Sequence, residues 1–358
     1  IRDRDVTGVQ TCALPIYSLI IMADKEDYPV LEEVISKLDI PRAMVYIECL
    51  IMEVNMTRGL NIGTEWKTFQ GFNDDSRVVF GGFGGTETDT SQRNVSVNPT
   101  VVCGDIGVPS DPNDNSYHLM VIVYGAADNG ESCRIDGLIF RGANANGNTK
   151  RAYNGVDLYR NEAGGLTILS VGSGTEVNPT VVNCIFEGNT ARYGAGLFIQ
   201  AINGKSFAQI DHCTFKNNST YYGVICNDGR SGEVSPTISN SAFHNNQSNT
   251  SGGGIYNYGY GGVASPSILN CVFNSNSAAS HGGAIYNNAY AGKSNATVKN
   301  STFYRNNAGV SGGLMYSFGN SGSCSPLVLN CISWGNSRGG DSVHNFSEFY
   351  NYFAYPYV

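Results

Sequence analysis

The sequence predicts a mainly β chain, with residues 86–358 wound into a right-handed parallel β-helix behind a small α+β fragment at residues 17–85. Three observations carry that reading. Phe186, Phe215, Phe243, Phe273 and Phe303 recur at intervals of 29, 28, 30 and 30 residues. Each is followed three positions on by an asparagine: Asn189, Asn218, Asn246, Asn276 and Asn306. Gly-rich segments separate the units, and nothing between them has helical spacing. A period near thirty residues, held this tightly, marks a solenoid whose turns stack on one another.

Each unit begins with a short strand. Examples are Pro179-Thr-Val-Val-Asn-Cys-Ile-Phe, Pro266-Ser-Ile-Leu-Asn-Cys-Val-Phe and Ala296-Thr-Val-Lys-Asn-Ser-Thr-Phe. Alternation turns Cys184 and Phe186 one way, Asn183 and Ile185 the other. A glycine cluster with a second apolar run follows, as in Gly252-Gly-Gly-Ile-Tyr and Gly282-Gly-Ala-Ile-Tyr. Gly, Asn and Ser fill the corners, where positive φ angles are needed.

Parallel turns about 4.8 Å apart place like on like, which predicts ladders. Cys184, Cys213, Ser241, Cys271, Ser301 and Cys331 share one position, all small enough for a narrow interior. Asn183, His212, Asn240, Asn270, Asn300 and Asn330 share the next, where stacked amides are expected to bond along the axis, each bond contributing roughly 1 kcal/mol. A sixth unit, Pro326 to Ser333, replaces the aromatic with serine. Upstream, Pro99–Ile106, Tyr117–Tyr124, Arg134–Phe140 and Leu166–Leu169 read as looser first turns, with a loop insertion around Gly142 to Gly155.

The paired motifs, Phe-x-x-Asn and Gly-Gly-Ala-Ile, resemble the repeat of polymorphic outer membrane proteins and related bacterial β-helix surface proteins. Phe80-Gly-Gly-Phe-Gly-Gly-Thr-Glu-Thr, Asp136-Gly-Leu-Ile-Phe-Arg-Gly and Trp334-Gly-Asn-Ser are similar to that class's entry, first rung and last rung. The resemblance covers roughly residues 78–340. It implies an extracellular, outer-membrane or cell-surface location and adhesion or carbohydrate contact; some β-helices of this kind are polysaccharide lyases.

Residues 17–66 differ in character. Val30, Leu31, Val34, Ile35 and Leu38 recur at helical spacing, predicting a helix from about Asp27 to Leu38 between strands at Ser18–Met22 and Met44–Val54. Leu19-Ile-Ile-Met-Ala, Val45-Tyr-Ile-Glu-Cys-Leu-Ile-Met-Glu-Val and Leu60-Asn-Ile-Gly-Thr-Glu-Trp together resemble the secretin of type II secretion. That resemblance implies an outer-membrane secretion component whose fragment contacts neighbouring secretin subunits. Residues 6–16 match the translation of a common sequencing-library adapter, so residues 1–16 are read as an artefact, outside fold reasoning. The whole is then expected to be a chimeric reading frame, joined near Phe80 to Thr86, with its true N-terminus and any export signal missing.

Composition agrees with a Gly/Asn/Ser-rich solenoid: 44 glycines and 15% charged residues. A net charge of −8 argues against nucleic acid, whose phosphates need a basic face. Of ten cysteines, those in the ladder are expected to pack as free interior thiols. No Cys-x-x-Cys or Cys/His spacing suggests zinc, and the Gly81–Gly85 run is not a phosphate loop, because no helix carrying Lys-Ser/Thr follows it. No metal or cofactor is expected.

Catalysis has little to stand on. The adjacent pair Asp74-Asp75 precedes the solenoid, while Asp136, Asp157, Glu187, Asp211, Asp228 and Glu233 are scattered through it, and His212, His244 and His281 fall on different ladders. The candidate ligand site is a tyrosine stripe. Tyr256, Tyr286 and Tyr316 are thirty residues apart, with Phe198 in the equivalent rung before, and Tyr260 and Tyr290 form a second pair. With Asn257 and Asn287 beside them, these rings could form a platform for sugars on a surface polysaccharide, or an aromatic ladder filling the interior.

Overall fold

The computed structural model describes residues 99–339, except 107, 109, 129–131 and 154, together with the strands Asn61–Glu65, Val79–Gly82 and Phe349–Ala354. The expectations placed on residues 1–60 lie outside the described residues, and so does Asp74-Asp75. The chain divides into two units, residues 1–54 and 55–358. Everything described belongs to the second.

That unit is a parallel β-solenoid. One regular turn runs through Glu176–Val177, Thr180–Val182, Ile185–Glu187, Thr190–Tyr193 and Leu197–Ile202 before the next begins at Lys205. Each segment pairs in parallel with its counterparts in adjacent turns, building sheets of four, nine, eight, six and eight strands respectively. The strands Asn61–Glu65 and Val79–Gly82 extend the nine-stranded sheet beyond Arg134–Asp136. Among the described residues one antiparallel hairpin, Lys150–Tyr153 with Val156–Tyr159, begins in the expected insertion, runs four residues past Gly155 and packs on the rod. No helix among the described residues is long and apolar enough to cross a membrane.

The phenylalanines stack as the period requires. Phe140, Phe186, Phe215, Phe243, Phe273 and Phe303 are fully buried, neighbouring ring centroids lie 4.5–4.9 Å apart, and the planes stay within 8° of parallel. Isoleucines, valines and leucines of the other strands complete the lumen. The ladder of small residues lies beside them. Cys184, Cys213 and Cys271 are buried free thiols, Cys331 is half-buried, and Ser241 and Ser301 occupy the intervening rungs. Each of the four sulfurs lies within 3.4 Å of the carbonyl two residues back.

The asparagine ladders exchange roles relative to expectation. Asn183, His212, Asn240, Asn270, Asn300 and Asn330 all hold φ between 49° and 54°. They are left-handed corners, a conformation asparagine tolerates better than most residues. Asn240, Asn270, Asn300 and Asn330 are exposed, and among the described residues one amide link joins them, Asn270 Nδ2 to Asn240 Oδ1 at 3.3 Å. The axial chain runs instead through the Phe-x-x-Asn residues. Asn189, Asn218, Asn246, Asn276, Asn306 and Asn336 are buried; each of the first five amides donates to the next Oδ1 at 2.8–3.2 Å, and Asn336 donates to Ser333 Oγ at 2.8 Å. A buried amide must find partners for all its polar atoms, whereas an exposed corner amide has water.

Gly282 shows why the second motif needs glycine. Its φ is 67°, and a Cβ there would collide with the backbone oxygen of Ile285.

Candidate functional site

Alternation along the long strands decides where the tyrosines point. Leu197, Ile225, Ile255, Ile285 and Met315 enter the lumen core. The following residues, Phe198, Cys226, Tyr256, Tyr286 and Tyr316, therefore face outward, in register from turn to turn. Cys226 stands between Phe198 and Tyr256, so Phe198 lies two rungs ahead of the tyrosines, not one.

Tyr256, Tyr286 and Tyr316 stack with centroids 5.2 and 5.3 Å apart, yet they are only 5%, 9% and 7% exposed. They belong neither to the lumen nor to an open platform. They join Leu158, Leu169, Phe198 and Cys226 in a second apolar layer on the outer face of the sheet. Tyr193 and Tyr222, the last residues of two strands in the neighbouring six-stranded sheet, pack against that layer, as do Tyr153 and Val156 of the hairpin. His281 stacks on Tyr316 at 4.3 Å, and the amide of Asn288 donates to the Tyr256 hydroxyl at 3.0 Å. Burial pushes the phenols of Tyr256 and Tyr286 well above the ordinary tyrosine range.

Asn257 and Asn287 do not flank those rings. One residue on, the strand turns inward, and both are fully buried. Asn227 donates to Asn257 and Asn257 to Asn287, each at 2.8 Å, and Asn287 donates to Ser317 Oγ at 3.2 Å. This is a second internal amide chain. It holds turns together and offers nothing to a ligand outside.

The second tyrosine pair does reach solvent. Tyr260 and Tyr290 are 43% and 42% exposed, and their rings stack at 5.0 Å with planes 7° apart. Tyr258 links them to the buried layer, 5.8 Å from Tyr256 and 5.7 Å from Tyr260. Such a stack presents hydroxyls and ring edges outward, because its facing surfaces cover each other.

One polar cluster escaped the sequence reading as a site. Asp228 shares its ladder position with Gln200, Tyr258 and Asn288 and is almost completely buried. Gln200 Nε2 and the Arg230 guanidinium donate to its Oδ2 at 3.0 and 2.9 Å, and the Arg230 backbone N–H donates to Oδ1 at 3.0 Å. Desolvation raises its pKa against the pull of Arg230. The signal was present: a charged residue interrupts a ladder of aliphatic, amide and aromatic side chains, Val123, Leu169, Gln200, Tyr258, Asn288 and Phe318. Among the described residues no group of three or more His, Cys, Asp or Glu side chains could hold a metal ion.

The comparisons with known proteins bear on short stretches. The family profile of the Chlamydia polymorphic membrane protein (Chlamydia_PMP) repeat matches residues 270–288, which contain Asn270, Cys271, Phe273, Asn276 and the Gly-Gly-Ala-Ile-Tyr motif. Secretin XcpQ of Pseudomonas aeruginosa is 29% identical over 80 residues, 22% of this chain and 11% of that protein. GspD of Escherichia coli (strain K12), a secretin by name, is 47% identical over 49 residues, 14% of this chain and 8% of that protein. No solved structure matches. One rung of the β-solenoid, residues 270–288, is thus similar to a polymorphic membrane protein repeat, and the chain spans about a tenth of the length of those curated relatives.

Proposed function

We propose that this is a non-catalytic β-helix protein of the bacterial cell surface or outer membrane that contacts polysaccharide along the outer face of its long-strand sheet. One observation carries the contact: the exposed stacked pair Tyr260 and Tyr290, standing at the edge of a sheet whose other tyrosine stripe is buried. Tyrosine suits this task, since its ring offers apolar area and its hydroxyl a polar handle. Support for the location comes from the matched repeat, whose family is named for membrane proteins.

Affinity electrophoresis in gels containing neutral or acidic polysaccharides tests the reading. The full chain is expected to be retarded by at least one polymer, and the Tyr260→Ala/Tyr290→Ala variant to run free with its Tm unchanged. No retardation by any polymer, or equal retardation of the variant, would refute it.

A further inference from the structure

A regular solenoid has flat sides, so a hollow in one calls for a local cause. Two departures from the period flank the strands Thr190–Tyr193 and Ser219–Tyr222. On one side the interval from Phe140 to Phe186 is stretched by the insertion, which brings Asn146 and Asn148 over the edge of the sheet. On the other side Gln247–Ser251 is five residues long where Ser219–Tyr222 is four, and the pairing slips between Thr220 and Tyr222. The extra residue is a bulge, and bulges re-aim side chains locally. Asn249 stands there.

Between these walls lies a cavity of about 410 Å³, within the range of small-molecule pockets. Register defines its floor: Thr190 pairs with Ser219 and Ala191 with Thr220, so Arg192 falls beside Tyr221. Arg192 and Tyr221 are both exposed. The Arg192 backbone N–H bonds to the Asn161 carbonyl at 2.6 Å, and its guanidinium carbon sits 5.3 Å from the Tyr193 ring centroid. Among the described residues no carboxylate lies within ion-pair distance of Arg192, and none lines the cavity. Arg192 shares the cavity lining with Asn146, Asn148, Asn161 and Asn249, and its charge exerts a longer-range pull on the Glu162 carboxyl.

These groups define a ligand chemistry. A guanidinium fork recognises a carboxylate through paired hydrogen bonds. Amides both donate and accept, as hydroxyl-rich ligands require. We propose that this cavity binds an acidic sugar residue, with its carboxylate on Arg192, its hydroxyls on the asparagine amides, and Tyr221 against its ring. The proposal rests on the carbohydrate reading above and names a substrate class for it.

Ligand-observed NMR on the full chain tests it, with glucuronic acid and N-acetylneuraminic acid as probes and glucose as the uncharged control. At least one acid is expected to bind about tenfold or more tighter than glucose, a difference that one charge-assisted pair can supply. Arg192→Gln should abolish that preference at unchanged Tm, Arg192→Lys should keep part of it, and Tyr260→Ala/Tyr290→Ala should leave it intact. Acids binding no tighter than glucose, or Arg192→Gln matching the parent, would overturn the site. If polysaccharide retention survives that failure, the cavity alone is wrong; if retention is also absent, the carbohydrate reading falls with it.

Discussion

Asn246 donates its side-chain Nδ2 to Asn276 Oδ1 in the next turn at 2.8 Å, and the same amide donates to the Phe215 carbonyl in the turn before at 2.9 Å. Its own Oδ1 accepts from both the backbone and the side-chain nitrogen of Asn218. One side chain thus ties three turns together with every polar atom used.

Asn246→Ala should therefore cost about 3–5 kcal/mol, since several buried donors and acceptors lose partners at about 1–3 kcal/mol each. Asn270→Gly should stay within about 0.5 kcal/mol, because a left-handed corner suits glycine. Urea midpoints, with hydrogen exchange to locate the opening, check the contrast. Equal effects would mean that the two asparagine ladders are not distinct.

Cys213→Ser should cost less than about 1 kcal/mol, since Ser241 occupies the same position one turn on and already bonds, through Oγ, to Ser239 O at 2.7 Å. Cys213→Leu should cost about 1–3 kcal/mol by overpacking. In the native protein, alkylation read by peptide mass spectrometry should spare Cys184, Cys213 and Cys271 until urea unfolds the rod.

Tyr286→Ala should destabilise by about 3–5 kcal/mol, as removal of a buried aromatic does. Tyr290→Ala, on the exposed pair, should cost less than about 1 kcal/mol. Thermal melts of both variants separate the buried stripe from the exposed one, and a mild Tyr286→Ala would put that ring in solvent.

Burial raises Tyr193 from 10.0 to about 12 and Cys271 from 9.0 to about 11, in each case by disfavouring the charged form. The unfolded chain ionises these groups first, so their contribution to stability is complete below pH 9. It is lost as pH rises, through about 11 for the thiol and about 12 for the phenol. Urea midpoints should hold from pH 7 to 9 and fall by pH 11, and an unchanged midpoint at pH 11 would contradict the burial of these groups.

The lumen was legible because parallel stacking forces like onto like, and the Phe243–Phe273–Phe303 spacing announces it directly. Phe140 was harder, since the insertion before Phe186 breaks the interval by which its place in the stack would be recognised. Period could not tell Asn240 from Asn246, because both recur every turn; backbone φ and burial separate them. The outward turn of Tyr286 follows from the inward turn of Ile285, but its burial does not. That depends on Tyr193 and Tyr222 of the adjacent sheet packing against the same layer, which no one-dimensional pattern records. Arg192 and Asn249 lie where repetition fails, so their meeting around one cavity needs coordinates.

The register is tested most directly by nuclear Overhauser contacts between phenylalanine rings in protein selectively labelled at Phe. The stacked lumen predicts strong ring-to-ring contacts from Phe215 to Phe243, Phe243 to Phe273 and Phe273 to Phe303, at 4.5–4.8 Å between centroids. Absence of contacts between rings one period apart, with each ring meeting unrelated side chains, would contradict the solenoid and every site built on it.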